Sequence, residues 1–272
     1  MKRLLSSLVC SFTALCLGGC LQIEKTVKLK TDGSGTIEET VVMSKAMVEQ
    51  MKAMGTQFSQ GFGAKNEPAK KPKEFSLLDE GKLKKEAAAM GAGVTFVGAK
   101  KVTADTGEGY TATFAFTDIN NLKIDQNPSS SAPKMGTDSK PEKHEIIGFQ
   151  FTKGSPAELV ITMPAQKFDR KDKPDKKSNP AATQMAMQFF KDMKISIGIE
   201  VQGAITETNA SYHDGSRVTL MEMDFNKLLA DPKKFEEFSA MDAQTLEEAK
   251  KLLKQVPGVK VETNPQVRIK FQ

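Results

Sequence analysis

The sequence has few of the residues on which metal and nucleophile chemistry usually depends. Its 272 residues include no tryptophan, two histidines and three cysteines. Neither His144 nor His213 lies in a spacing typical of metal ligands. Walker, G-x-G-x-x-G and C-x-x-C motifs are absent, and the scattered Asp and Glu residues cannot be paired as acid and base. We therefore expect a protein that is not an enzyme and that uses no cofactor.

The chain also lacks a strong excess of charge of either sign. It has 39 Lys and Arg against 34 Asp and Glu, which gives a net charge of +5. Nucleic-acid binding normally requires a concentrated basic face, whereas these charges are spread along the chain, so we expect no nucleic-acid partner. The length is sufficient for a hydrophobic core that needs neither a metal nor a disulfide for its stability.

The first 20 residues are organised like an export signal. Lys2 and Arg3 precede an apolar run over residues 4–17. The run is too short to cross roughly 30 Å of hydrocarbon as a helix, but it has the length of the central part of a secretory leader. The segment that follows is Leu17-Gly18-Gly19-Cys20. It resembles the lipobox of bacterial lipoprotein precursors.

This resemblance implies a lipid anchor on Cys20. In that family the cysteine thiol receives a diacylglyceryl group, the leader is removed, and the new amine is acylated, for example with palmitate. Residues 1–19 would then be the signal peptide, and the mature region 20–272 would be attached to the membrane through its N-terminal lipid. Because Leu21 rather than Asp follows the cysteine, the resemblance favours the outer membrane of the cell envelope, with the protein facing the periplasm.

Periodic apolar residues predict hairpins and helices in the mature region. A hairpin is predicted directly after Cys20, over residues 21–29 and 37–43, because apolar and polar residues alternate there. Ser44 is predicted to cap the helix that follows. Another hairpin is predicted for residues 147–151 and 159–163.

Three units of one helix followed by two strands are also predicted. In the last unit, a helix over residues 246–256 precedes a hairpin of residues 259–261 and 267–271. The predicted fold class is therefore α+β, with antiparallel hairpins and sheet covered by amphipathic helices. A flexible loop at 120–144, rich in Asn, Ser, Pro and Lys, would divide the mature region into sub-lobes 20–119 and 145–272.

Three methionines offer an alternative to a purely structural interpretation of the first helix. Met47, Met51 and Met54 are spaced so that their thioethers share one helix face. Soft thioether ligands suit Cu(I), so one hypothesis is a periplasmic copper-handling protein. The same spacing is typical of methionines that fill a core, and both interpretations remain open.

The mature region resembles, in part, uncharacterised envelope lipoproteins of the LppM type. The resemblance rests on the Asp-Gly-Ser-Gly turn at 32–35 and on the segment 201–210, which ends one strand before the next begins at Val218. It implies an α+β envelope module, in a group of which one branch is associated with glycolipid binding. The function expected from the sequence is therefore a non-enzymatic, membrane-anchored lipoprotein that binds a protein partner or an amphiphile.

Overall fold

The chain folds mainly into β-structure. The computed structural model describes residues 21–49, 51–53, 76–104, 107–127, 144–164, 190–231, 233–235 and 246–272. Within these ranges it forms one eight-stranded sheet and one five-stranded sheet. The strands are β1 (Leu21–Leu29), β2 (Gly35–Ser44), β3 (Val94–Ala104), β4 (Gly107–Phe116), β5 (Ile124–Asp125), β6 (Ile146–Thr152), β7 (Ala157–Thr162), β8 (Lys194–Val201), β9 (Ile205–Thr208), β10 (His213–Asp214), β11 (Arg217–Asp224), β12 (Val259–Val261) and β13 (Gln266–Phe271).

The hairpin predicted directly after Cys20 is confirmed as β1 and β2. Leu21 pairs with Met43 at one end, and Leu29 pairs with Gly35 beside the turn. In the turn, Gly33 has a φ of +90°, a value that glycine adopts without steric cost. The side chain of Asp32 accepts hydrogen bonds from Ser34 N and Oγ at 2.9 and 2.7 Å. The local sequence therefore fixes both the position and the register of this hairpin.

The large sheet continues on both sides of this hairpin, in the order β10-β11-β8-β1-β2-β4-β3, with β12 also pairing with β11. β8 runs parallel to β1, with Gln22 opposite Lys194 and Leu29 opposite Val201. The sheet therefore includes strands from both predicted sub-lobes, 20–119 and 145–272. It joins them because β1 has a free edge on the side away from β2, and β8 fills that edge with a ladder of backbone hydrogen bonds.

The small sheet has the order β5-β6-β7-β13-β9. Its β6–β7 hairpin confirms the pairing expected for residues 147–151 and 159–163. The hairpin expected between 259–261 and 267–271 is wrong: β12 pairs with β11 in the large sheet, whereas β13 pairs with β7 and β9. Alternation predicted both strands, but it carries no information about which strand lies beside which.

The predicted covering of the sheet by amphipathic helices is wrong. The helices in the described ranges are short: Glu80–Ala89, Phe225–Leu229 and Leu246–Leu253, with a 3₁₀ helix at Ile119–Asn121 and further helical residues at 45–49, 51–53, 190 and 233–235. A ten-residue helix is about 15 Å long, whereas a strand of ten residues spans roughly 33 Å. Helices of this size cover only part of the sheet, and the expected α+β fold is instead mostly β, with one parallel strand pair.

One cluster of buried apolar side chains extends through both sheets and includes Leu83 and Ala87 of the Glu80–Ala89 helix. It also includes Ile119, Leu122 and Ile124, so the first residues of the segment predicted as a loop at 120–144 are packed in the core instead. Residues 128–143 of that segment lie outside the described residues. None of the helices in the described ranges combines the length and the hydropathy that are needed to cross a bilayer.

Candidate functional site

Four ionisable side chains meet beneath the Glu80–Ala89 helix. Lys25 of β1 and Glu39 of β2 are direct partners in the hairpin register, and Lys25 Nζ lies 2.6 Å from Glu39 Oε2. Tyr110 of β4 donates its hydroxyl hydrogen to Glu39 Oε1 at 3.1 Å. Glu86 reaches down from the helix, and its Oε1 accepts a hydrogen bond from Lys25 Nζ at 3.5 Å. We call these four residues the buried charge cluster.

The cluster is largely removed from water. The side chains of Lys25 and Glu39 are 6% and 0% exposed, and that of Glu86 is 27% exposed. An unpaired charge in such a place would be strongly destabilising. Lys25 is therefore matched to two carboxyl groups, and both oxygens of Glu39 have a partner.

The pKa values in the cluster depend on burial and on the neighbouring charges. Burial, with the nearby charge of Glu39 as a second cause, raises the pKa of Glu86 to about 7. Burial by itself would lower the pKa of Lys25, but the charges of Glu39 and Glu86 outweigh it and hold that pKa above its ordinary value. Burial, followed by the charge of Glu39, raises the pKa of Tyr110.

These pKa values limit the chemistry that the cluster supports. A lysine acts as a nucleophile when its amine is neutral, and the Lys25 amine stays protonated at neutral pH. Glu86 exchanges a proton near pH 7, but it does so on the inner side of the helix, in contact with Lys25 and Glu39. In this arrangement Lys25 remains a buried cation and Glu86 can bind or release a proton, and Lys25 is not available as a nucleophile.

Two residues of this cluster could have been found from the sequence, because they are charged residues at positions where the alternating pattern predicts buried side chains. Lys25 and Glu39 occupy inward positions of two alternating strands, between Ile23 and Val27 and between Ile37 and Val41. The five-residue turn at 30–34 between those strands places the two charges opposite each other. The contribution of Glu86 could not be found in this way, because it comes from a helix 61 residues away along the chain.

A second buried carboxylate joins the two chain segments that pass between the large and the small sheet, residues 209–212 and 262–265. Glu262, which is 0% exposed, follows β12 and accepts four hydrogen bonds of 2.7–2.9 Å. The donors are Ser211 N and Oγ, Thr263 N and Asn264 N. The Ser211 hydroxyl therefore donates to a carboxylate whose other hydrogen bonds come from backbone N–H groups. His213, although close to Ser211 in sequence, is not its hydrogen-bond partner.

An open cleft lies at the Leu21 end of the large sheet, between the helical residues 45–49 and 51–53, the segment 76–78 and the adjacent ends of β3 and β4. Its volume is about 220 Å³. The lining combines apolar groups with charged ones, namely Val48, Leu77, Leu78 and Val102 with Lys52, Lys101 and Glu108. Apolar and charged side chains therefore lie side by side in this cleft.

The residues predicted as sites from the sequence are placed as follows. Cys20 and Met54 lie outside the described residues. Ser44 caps the following helix as expected, since its Oγ accepts a hydrogen bond from Met47 N at 3.2 Å. Met51 is 9% exposed and belongs to the core, and Met47 packs against that core. In the described ranges, no group of three or more His, Cys, Asp or Glu side chains could hold a metal ion.

Comparison with known proteins gives one weak structural similarity. No protein-family profile matches the sequence, and no curated protein matches it. Among solved structures, the chain is similar to the folded domain of LppM from Mycobacterium tuberculosis, determined by NMR. The TM-score is 0.32 at 11% identity, and the match covers 76% of this chain and 84% of that one.

Proposed function

We propose that this protein is a non-enzymatic lipoprotein of the bacterial cell envelope that is anchored through Cys20 and binds a protein partner or an amphiphile. The observation that carries the proposal is the position of the folded region relative to the lipobox. β1 begins at Leu21, the residue directly after Cys20, and Leu21 is already buried and paired with Met43. A lipid on Cys20 would therefore be attached one residue away from a paired strand of the large sheet.

The proposed location is the outer membrane, with the domain in the periplasm. Stable attachment needs more than one acyl chain, and the two or three chains of a mature lipoprotein meet that requirement. Leu21 stands where an Asp would favour retention in the inner membrane. With the leader removed, the mature region has no cysteine other than Cys20, so an oxidising compartment would not form a disulfide in it.

The cleft at the Leu21 end supports the amphiphile as the bound ligand. Its apolar side chains suit a short hydrocarbon segment, while Lys52 and Lys101 suit an anionic group. The alternative within this proposal is that the protein binds another protein. Copurification of the native protein, followed by lipid extraction and mass spectrometry, distinguishes a bound lipid from a bound protein.

The anchor is tested with a pair of cysteine variants. We expect wild-type protein to begin at residue 20 and to carry acyl mass. Cys20→Ser removes the acceptor of the lipid, so it should accumulate as uncleaved precursor or leave the membrane fraction. Cys16→Ser is the matched control, because it changes a cysteine of the leader and should be processed like wild type. An unmodified Cys20 in the wild-type protein, or a mature chain that starts elsewhere, would contradict the proposal.

The ligand site is tested by charge reversal on the edge strand. Lys101→Glu places a negative charge in the cleft and should reduce the amount of anionic amphiphile that copurifies with the protein. Lys100→Glu is the control, because Lys100 is exposed on the same strand but does not line the cleft. Equal loss in both variants, or no loss in either, would contradict binding at this cleft.

A further inference from the structure

Several elements of the large sheet end together at the position of Leu21. The hairpin register places Leu21 beside Met43, at the end of β2. Lys194, at the start of the parallel strand β8, lies opposite Gln22 on one side and opposite Asp224 of β11 on the other. The turn at residues 30–34 lies at the opposite end of β1. We call these two ends of the large sheet the anchor end and the distal end.

Exposed lysines surround Leu21 at the anchor end. Lys45, Lys191 and Lys194 are all exposed, and none forms an ion pair with another residue of the described ranges. Two of the nearby acidic groups are engaged in local structure, and a third, Glu108, lies opposite Met43 beside the cleft. Asp192 accepts a hydrogen bond from Asn226 Nδ2 at 2.8 Å, and Asp224 caps the helix of residues 225–229 and pairs with Lys227 at 3.4 Å.

No spacer separates Cys20 from the large sheet, and this sets the distance between the anchor end and a lipid on Cys20. Consecutive Cα atoms are about 3.8 Å apart, and Leu21 is already a paired residue of β1. A lipid on Cys20 would therefore hold the anchor end within a few ångströms of the headgroups. The distal end is eight residues further along β1, or roughly 26 Å away.

We propose that the anchor end of the large sheet is a membrane-contacting surface, on which Lys45, Lys191 and Lys194 face the anionic headgroups of the bilayer. The inference rests on the proposed lipid anchor and adds an orientation to it: β1 points away from the membrane, and the distal end faces the periplasm. The basic side chains supply the charge complementarity, because lysines close to an anionic leaflet are attracted to it.

The orientation is tested on the lipidated protein in vesicles that contain anionic phospholipid and lipids with a quencher in the headgroup region. Its mature form should carry no free thiol, so a single added cysteine accepts a fluorescent label at one site. We expect loss of fluorescence for a label at Ala46→Cys, at the anchor end, and none for a label at Lys30→Cys, at the distal end. Equal quenching of both labels would mean that the domain lies on its side, which would overturn the proposal.

The role of the lysines is tested by charge reversal with the Ala46→Cys label in place. The triple variant Lys45→Glu, Lys191→Glu and Lys194→Glu should be quenched more weakly on anionic vesicles than on phosphatidylcholine vesicles, because the new negative charges are repelled by the anionic headgroups while the lipid still tethers the anchor end. The matched control reverses three exposed lysines of the distal end, Lys30, Lys123 and Lys153, and should behave like the unsubstituted protein. Unchanged quenching of the first triple variant on anionic vesicles would overturn the proposed contact.

These outcomes can be separated from failure of the anchor itself. The intact mass of the protein used for labelling shows whether the acyl chains are present. If they are absent, the proposed lipoprotein is wrong. If they are present and the distal label is quenched as strongly as the other, only the orientation is wrong.

Discussion

Lys25 and Glu39 face each other across the first hairpin with 2.6 Å between Nζ and Oε2, and their side chains are 6% and 0% exposed. The same hairpin carries a solvent-exposed pair, in which Lys28 Nζ lies 2.7 Å from Glu38 Oε2 and the side chains are 42% and 44% exposed. The two pairs share residue types and similar distances, so burial is the main difference between them.

This difference predicts unequal effects of removing a lysine. Lys25→Met leaves Glu39 buried without its cation, which should lower the free energy of unfolding by about 3–5 kcal/mol. Lys28→Met, the control, should lower it by about 1 kcal/mol or less. The double variant Lys25→Met and Glu39→Met should be more stable than Lys25→Met alone, because the fully buried charge of Glu39 is removed as well and only the partly exposed Glu86 lacks its cation. Denaturant unfolding measures the free energy of unfolding of all three variants. Equal decreases for Lys25→Met and Lys28→Met would contradict the conclusion that burial makes the first ion pair the more important one.

Glu86 should make the stability of the protein fall as the pH rises from about 4.5 to about 7. Its pKa is raised from 4.5 to about 7 in the folded protein, so between those values the folded state holds a proton that the unfolded state has released. The stability supplied by that proton is complete below about pH 4.5 and is lost as the pH rises to about 7. The loss is at most about 3 kcal/mol.

Glu86→Gln mimics the protonated carboxyl group and tests this pH dependence. It should match wild type near pH 4.5 and be more stable than wild type above pH 7. Glu80→Gln is the control, since Glu80 is exposed in the first turn of the same helix. If wild type and Glu86→Gln show the same pH profile in thermal unfolding, Glu86 does not exchange its proton in this range.

Gly109 of β4 should be intolerant of any side chain. A Cβ at this position would lie far inside van der Waals contact with the Val41 carbonyl oxygen of the neighbouring strand. Gly109→Ala should therefore reduce the free energy of unfolding by about 3 kcal/mol or more. At Gly98, on the adjacent strand β3, an added Cβ meets no atom within 4 Å, so Gly98→Ala should be close to neutral. A Gly109→Ala protein with wild-type stability would contradict the close strand approach.

Glu262 should be essential for the crossing between the sheets. Glu262→Ala removes the acceptor of four hydrogen bonds and should cost about 3 kcal/mol or more, because bonds to a charged acceptor are strong. Ser211→Ala removes only the hydroxyl donor and should cost about 1 kcal/mol. Equal stability of the two variants in denaturant unfolding would show that the backbone donors find other acceptors.

The copper hypothesis predicts a stoichiometric Cu(I) complex that uses Met47, Met51 and Met54. We expect no such complex, because Met51 is 9% exposed and packs in the core, where its sulfur would have to leave its apolar neighbours to bind a metal. Titration of the purified protein under reducing conditions measures this. Stoichiometric uptake that Met47→Leu and Met51→Leu abolish would favour copper handling over core packing.

The sequence alone determined the local elements of this protein. Alternation in residues 21–43 predicts the β1–β2 hairpin, Ser44 predicts the helix cap, and alternation in residues 147–163 predicts the β6–β7 hairpin. Each of these features depends on residues within one or two turns or strands, so the physical cause is present in the local sequence. The lipobox is likewise a local signal, and it led to the proposed anchor.

Only the tertiary structure decided which elements lie together. β8 joins β1 in parallel, and β12 and β13 enter different sheets, because strand pairing is a choice among edges that many strands could fill. Lys25 and Glu39 meet through a short turn, but Glu86 joins them only when the helix packs on the sheet. A periodic pattern shows which face of an element is buried; the partner of that face is set by long-range packing, which no single segment encodes.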